Sequence, residues 1–135
     1  MNKPYNLFIG RFQSPHKGHQ AIFDEYLSKN EPILIAIRTV ITDENNPLSA
    51  IEVAKLWQEI YKDNPLVAIM IMPDICSVNY GRGVGYEVRE IEAKSEIASI
   101  SATEIRKSIV NGDDYWKQFV DEKIHGILPN MILRK

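Results

Sequence analysis

A short polar loop between an apolar run and a helical pattern constrains this chain more than any other feature. The run 6–9 predicts a buried strand, and the apolar spacing from about Gly18 to Lys29 predicts a helix. A helix that starts just after a strand offers unpaired backbone N–H groups and the positive end of its dipole, which attract anions. The loop itself contributes glycines and basic side chains, namely Gly10, Arg11, His16, Lys17, Gly18 and His19. We therefore predict a phosphate-binding site in this loop.

Two other interpretations of the loop exist. The pair His16 and His19 has the spacing of a zinc site, but no acidic or Cys residue lies close by in the loop to complete a ligand set. The loop is also compatible with a basic surface turn that binds nothing. The combination of strand, glycines, helix start and cations favours phosphate.

Composition limits the classes of protein that the chain can belong to. Its 135 residues suffice for one domain with a core, which we place at 1–135, and are too few for two ordinary domains. A net charge of −2 gives no general attraction to nucleic acids or anionic membranes. The single cysteine, Cys76, excludes an intrachain disulfide and is expected to be a small buried residue. Without a signal-peptide core or an apolar run of membrane-spanning length, the expected location is the cytoplasm.

Two further apolar runs predict parallel strands. Residues 33–37 and 66–72 are continuously apolar, as in strands buried on both faces of a parallel sheet. Between them, Ser49 and Glu52 form a capping box that begins an amphipathic helix, in which Trp57 is expected to be core rather than a base-stacking residue. The predicted fold is therefore α/β, a single Rossmann-like domain with a parallel sheet flanked by helices.

The later part of the chain gives weaker predictions. The alternation in 86–91 predicts an edge strand. A final helix is predicted to be capped by Asp113 and to end at Gly126, with Pro129 preventing its continuation.

Three residues near predicted strand ends are candidates for substrate contacts. Ligands bind at the carboxyl edge of open α/β sheets, where Arg38 follows the second strand. In the glycine-rich segment 79–85, Tyr80 can stack on a base or pyridine ring and Arg82 can hold a phosphate. The alternatives are a solvent-exposed Arg38 and a flexible surface turn at 79–85.

A second helix start carries unexpected cations. Ser101 and Glu104 form a capping box, and Arg106 lies in the first turns of the helix that follows. Helix N-termini favour acidic groups, so cations at this place indicate that an anion binds there.

Both helix starts resemble motifs of a known superfamily. His16-Lys17-Gly18-His19 matches the His-x-Gly-His signature of the cytidylyltransferase-like nucleotidyltransferases, and 100–106 resembles their Ile-Ser-x-Thr-x-Ile-Arg motif. Gly10-Arg11-Phe12-Gln13 is similar to nicotinamide mononucleotide adenylyltransferases of the archaeal type. The resemblance implies the HUP-type nucleotidyltransferase version of the Rossmann-like fold.

The chain also departs from that pattern. Ser14-Pro15 stands where those enzymes have Pro and a variable residue, and Leu48 replaces a Phe. The segment 75–85 is shorter than in the archaeal-type enzymes. The run Tyr-Gly-Arg-x-Val-Gly-Tyr at 80–86 also resembles small nucleotidyltransferase domains that are fused to adenylylsulfate kinase.

The resemblance implies a reaction and assigns roles. It implies transfer of AMP from ATP to nicotinamide mononucleotide, giving NAD and pyrophosphate, with magnesium (Mg²⁺) as cofactor and no protein metal ligand that the sequence identifies. It assigns the α-phosphate to His16 and His19, and the β- and γ-phosphates to Arg11, Lys17 and Arg106. The other nucleotide-binding residues that it implies are Gly10, Phe12, Gln13, Gly18, Ser101 and Thr103.

Other functions remain open at this point. One alternative is adenylyl or cytidylyl transfer to a different phosphorylated acceptor. A second, from another class, is a nucleotide-binding regulatory module without catalysis. Related enzymes are often oligomers, so a homo-oligomer is among the expectations.

Overall fold

The computed structural model describes residues 3–83, 85–90 and 100–134. Within these residues the chain forms three strands, four α-helices and two short 3₁₀ helices. Their bounds are β1 Asn6–Gly10, α1 Lys17–Leu27, β2 Ile33–Thr39, α2 Ala50–Ile60, β3 Val67–Pro73, α3 Ala102–Asn111, the 3₁₀ helices Tyr115–Phe119 and Glu122–Ile124, and α4 Leu128–Leu133.

The three strands form a parallel sheet in the order β1-β2-β3, which confirms the predicted α/β class with a parallel sheet. Ile33, Ile35 and Ile37 of the central strand are fully buried, as a continuous apolar run predicts. Helices α1 and α2 pack against each other, and the rings of Phe23 and Trp57 lie 5.2 Å apart. The sheet and these two helices are consistent with a Rossmann-like fold.

Helix α2 is the element that the sequence describes best. Ser49 Oγ accepts from the Glu52 N–H at 3.1 Å, and Glu52 Oε1 accepts from the Ser49 N–H at 2.9 Å, which confirms the predicted capping box. Trp57 is fully buried, as predicted for a core residue. Its position beneath the loop after β1 makes it part of the support for that loop.

The prediction of one helix from Asp113 to Gly126 is wrong. The segment forms two 3₁₀ helices, separated by Val120 in extended conformation. Asp121 Oδ1 accepts from the Lys123 N–H at 2.8 Å, and such a local side-chain bond competes with a continuous helix. Pro129 lies in the first turn of α4, where its missing N–H is not needed, so it begins a helix instead of preventing one.

Two predictions after β3 are also wrong. Residues 86–90 form no strand; Arg89 instead bonds the Glu87 carboxylate and the Tyr26 hydroxyl. Ile91, the last residue of the predicted edge strand, lies outside the described residues. Cys76 is exposed rather than buried, because it lies in coil beyond the end of β3. None of the helices in the described ranges is long and apolar enough to cross a membrane.

Candidate functional site

The two sequence motifs meet in one cavity of about 610 Å³. One wall follows β1, a second comes from the loop between β2 and α2, and a third is the first turn and a half of α3. The lining residues are Arg11, Phe12, Gln13, His19, Asn45, Asn46, Ala102, Thr103 and Arg106. This volume is typical of sites for small molecules.

His16 and His19 together form a capping box at the start of helix α1. His16 is the N-cap, and its Nδ1 accepts a hydrogen bond from the Gly18 N–H at 3.0 Å. The His16 N–H in turn donates to His19 Nδ1 at 3.2 Å, and the two rings stack with centroids 3.8 Å apart. The Gly18 N–H is therefore used inside the protein, although the sequence suggested that it would face a ligand.

This capping fixes the chemical form of both rings. Because each Nδ1 accepts a hydrogen bond, the proton of the neutral ring is on Nε2. Burial lowers the pKa of His16 to about 4. Burial and the nearby His16 lower the pKa of His19 to about 3. At neutral pH both side chains are thus uncharged and carry an Nε2–H, which has no hydrogen-bond partner in the described part of the chain.

Arginines supply the positive charge of the cavity. The Arg106 guanidinium donates to the Gln13 carbonyl oxygen and, at 3.4 Å, to Thr103 Oγ1. Burial lowers its pKa, because partial loss of hydration disfavours the charged form. Among residues 3–83, 85–90 and 100–134, no carboxylate lies within ion-pair distance of Arg11 or Arg106. Asp43 and Asp74 are near enough for Arg11 to lower their pKa, but no carboxylate of the described residues contacts either guanidinium, and two cations without a contacting carboxylate favour an anionic ligand.

The side chain of Gln13 stabilises the loop after β1. Its amide nitrogen donates to the Leu48 carbonyl oxygen, and its amide oxygen accepts from the Leu48 N–H, both at 2.8 Å. The buried amide thereby ties the loop after β1 to the start of α2. Gln13 also lines the cavity, so the nucleotide contact predicted for it stays a prediction.

Phe12 supports His19. Its backbone has a φ of 52°, an uncommon conformation for a bulky residue, and its ring is buried. The ring lies edge-on to His19 at 5.0 Å and to Trp57 at 5.5 Å. The hydrophobic core therefore reaches the cavity through Phe12.

Gly10 makes room for Phe12. A Cβ added at Gly10 would lie 2.8 Å from the nearest atom of the Phe12 ring. The substitution Gly10→Ala is thus expected to displace that ring and lower the free energy of unfolding by about 1–3 kcal/mol, as overpacking does. Urea denaturation measures this change.

A double substitution isolates the cause. In Gly10→Ala/Phe12→Leu the smaller side chain relieves the collision, so Gly10→Ala should cost clearly less in a Phe12→Leu background than in the wild type. Equal costs in both backgrounds would show that Gly10 serves another purpose.

Three predicted site residues make other contacts or lie outside the cavity. Ser101 is the N-cap of α3, and its Oγ accepts from the Glu104 N–H at 3.3 Å. Lys17 is exposed and does not line the cavity. His16 lies behind His19 and reaches the cavity region through the stacked rings.

The three candidates for substrate contacts also lie outside the cavity lining. The Arg38 guanidinium is bound to Asp74, with Nε donating to Oδ1 at 2.8 Å. Tyr80 is exposed with its ring 6.2 Å from that of Tyr86, and Arg82 is exposed. The structure thus brings none of them to the cavity.

Asn45 and Asn46 were not predicted as site residues, although both line the cavity. The sequence contained one indication of a tight turn here. Asp43 precedes Asn45 by two residues and Asn46 by three, and Pro47 follows. Asp43 Oδ1 accepts from the N–H groups of both asparagines, which folds the loop into a tight turn. A pattern of this kind predicts the conformation of the turn. It does not predict that the turn lies beside the loop after β1.

No protein-family model matches the chain, and no curated protein matches it. The assignment of a function therefore depends on the residues of the cavity and on their geometry.

Proposed function

We propose that the chain is a nucleotidyltransferase with a HUP-type fold in a single domain, transferring AMP from ATP to nicotinamide mononucleotide with release of pyrophosphate. The observation that carries this proposal is the meeting of two distant motifs. Arg106 bonds the backbone of Gln13, and His19 and Thr103 line the same cavity. Two arginines that form no ion-pair contact with a carboxylate of the described residues, together with a neutral donor in the same cavity, suit a polyphosphate.

The chemistry requires alignment and charge stabilisation rather than a protein nucleophile. A phosphate oxygen of the acceptor attacks the α-phosphorus of ATP as the bond from that phosphorus to the bridging oxygen breaks, and pyrophosphate leaves with the bond electrons. The attacking oxygen is already ionised at neutral pH, so no general base is needed. The protein contributes by holding the groups in line and by donating hydrogen bonds to the charge that develops.

Six of the nine residues that line the cavity have a role in this scheme. The Nε2–H of His19 donates to an oxygen of the α-phosphate, with His16 behind it. Arg11 and Arg106 bind the β- and γ-phosphates, and the Thr103 hydroxyl adds a donor. The support from Phe12 and Gln13 keeps these groups in place before the ligand arrives.

Mg²⁺ is part of the proposal as a partner of the triphosphate. Among the described residues, no group of three or more His, Cys, Asp or Glu side chains has the arrangement of a metal site. No step of the scheme therefore depends on a metal cage built from these described residues. When bound, Mg²⁺ would neutralise phosphate charge through phosphate oxygens and water.

The identity of the molecule that receives AMP is a more specific proposal than the type of reaction. Gly10-Arg11-Phe12-Gln13 favours nicotinamide mononucleotide by its similarity to the archaeal-type enzymes. Arg38, Tyr80 and Arg82 stay candidates for acceptor contacts, which would require Arg38 to exchange Asp74 for the ligand. Transfer of AMP or CMP to another phosphorylated acceptor uses the same cavity chemistry.

The test is pyrophosphate release from ATP and Mg²⁺ with and without nicotinamide mononucleotide, with NAD identified by mass spectrometry. We expect pyrophosphate and NAD in equal amounts, and only when both substrates are present. Release with CTP or with another phosphorylated acceptor would retain the reaction type and change the substrate. ATP binding without release in any combination would contradict the enzyme and favour a regulatory nucleotide-binding module.

A further inference from the structure

Asn46 holds a fixed place in the wall of the cavity. Its backbone N–H donates to Asp43 Oδ1 at 2.8 Å, and its carbonyl oxygen accepts from the Asp43 N–H at 3.0 Å. Its side-chain amide nitrogen donates to the same Asp43 oxygen at 3.2 Å. With only 9% of its surface exposed, the residue has little freedom to turn.

These bonds decide which hydrogen-bonding groups of the Asn46 amide are available to a ligand. A carboxylate only accepts hydrogen bonds, so the atom that faces Asp43 must be the amide nitrogen. The bonds from Asn46 and Asn45 hold the pKa of Asp43 below its ordinary value, which keeps it an ionised acceptor. No donor from the described residues bonds Asn46 Oδ1. Oδ1 of Asn46 therefore remains as an acceptor for a ligand, and the second N–H of Nδ2 remains as a donor.

Among the lining side chains with an acceptor oxygen, Asn46 is the buried one whose oxygen has no donor from the described residues. The oxygens of Gln13 and Thr103 already accept hydrogen bonds, and Asn45 is exposed. An ionised phosphate oxygen only accepts, so the group that bonds Asn46 Oδ1 must carry an O–H or N–H. The partner of Oδ1 is therefore not part of the polyphosphate.

We propose that Asn46 accepts a hydrogen bond from a ribose hydroxyl of a bound nucleotide and thereby selects ribonucleotides over deoxyribonucleotides. This inference rests on the proposed function. Asn46 lines the same cavity as Arg11 and Arg106, which bind the phosphates in the proposed function. In a nucleotide the pentose is the donor-bearing unit closest to the phosphates, and the base is farther away.

Equilibrium titrations test this without relying on turnover. One series compares ATP with its 2′-deoxy and 3′-deoxy analogues, and a second compares nicotinamide mononucleotide with its own deoxy analogues. In the wild type, one deoxy analogue should bind about tenfold more weakly than its parent, the effect of one hydrogen bond to a fixed partner. The series in which this occurs identifies the nucleotide whose ribose contacts Asn46.

The variant Asn46→Ala should bind the parent and that analogue within about twofold of each other. Asn45→Ala is the matched control, because it removes a neighbouring amide from the same wall and should preserve the discrimination. If Asn46→Ala does not fold, as judged by circular dichroism, Asn46→Ser replaces it, since its shorter side chain carries a hydroxyl donor for Asp43 but places no oxygen where Asn46 Oδ1 lies.

The outcomes separate the two proposals. Equal binding of parent and deoxy nucleotides by the wild type, or discrimination that persists in the Asn46 variant, would overturn the role of Asn46 and leave the nucleotidyltransferase intact. If the wild type bound neither ATP nor nicotinamide mononucleotide, the proposed function and the role of Asn46 would both be overturned.

Discussion

His19→Ala is expected to lower turnover about 10²-fold or more while the fold is retained. The substitution removes an Nε2–H donor from a cavity in which negative charge grows on the α-phosphate oxygens, and loss of one such donor typically costs this much. Ground-state binding of ATP should change far less, since Arg11 and Arg106 remain in the cavity. The measurement is the steady-state rate of pyrophosphate release, with ATP affinity measured separately.

Two further variants distinguish a catalytic role from a structural one. His19→Gln keeps an oxygen that can accept from the His16 N–H, because Gln is a common capping-box residue at this helix position, so it should preserve the melting temperature better than His19→Ala. His125→Ala removes a histidine whose Nε2 is 2.8 Å from the Val120 carbonyl oxygen and which does not line the cavity, so its rate should stay within about twofold of the wild type. A wild-type rate in His19→Ala would refute the role of His19.

Local sequence signals predicted the elements that carry the site. The apolar run and the loop after it specify β1 and the start of α1, and the box of Ser49 and Glu52 specifies the start of α2. Such signals act over a few residues, so a single sequence is enough to detect them. The convergence of the loop after β1 with α3 follows from the rule that ligand sites form at the carboxyl edge of a parallel sheet.

Contacts between distant residues explain what the sequence did not predict. Gln13 lines the cavity, and the sequence did not predict that its amide also bonds the backbone of Leu48, 35 positions away. Nor did the sequence predict that the space beside Gly10 is filled by Phe12. Neither partner can be identified from spacing along the chain, because it depends on how the loops pack.

The histidine pair shows the same limit in its chemistry. The sequence pattern predicted that His16 and His19 belong with the basic side chains of the loop. Their stacking, burial and mutual capping make them neutral donors, which no property of the isolated residues indicates. The positive charge of the cavity thus comes from Arg11 and Arg106, whose guanidinium groups stay charged at any physiological pH.

The stability of the protein is expected to fall steeply as pH decreases from about 6.5 towards 4. Burial holds the pKa of His16 at about 4 and that of His19 at about 3, whereas both have the ordinary value of 6.5 in the unfolded chain. In this range the unfolded state binds more protons than the folded state, so acid favours unfolding, and the effect vanishes above the unfolded pKa. Two histidines give a maximal slope of about 3 kcal/mol per pH unit.

Urea denaturation at pH 7, 6 and 5 measures this slope, and His19→Gln tests its origin. The variant loses one of the two buried histidines, so its slope should be about half that of the wild type. Carboxyl groups interfere little, because the pKa values of Asp43 and Asp74 are lowered from 3.8, by backbone and Arg38 hydrogen bonds respectively, and fall below the tested range. Burial raises the pKa of Asp24, so this group binds its proton more tightly in the folded state and stabilises the protein as the pH falls. Its effect is therefore opposite to that of the histidines and cannot account for a loss of stability in acid.

A slope near zero between pH 6.5 and 5 would mean that both rings accept a proton in the folded protein. In that case they would act as cations on the phosphates, and the assignment of neutral Nε2–H donors would be wrong.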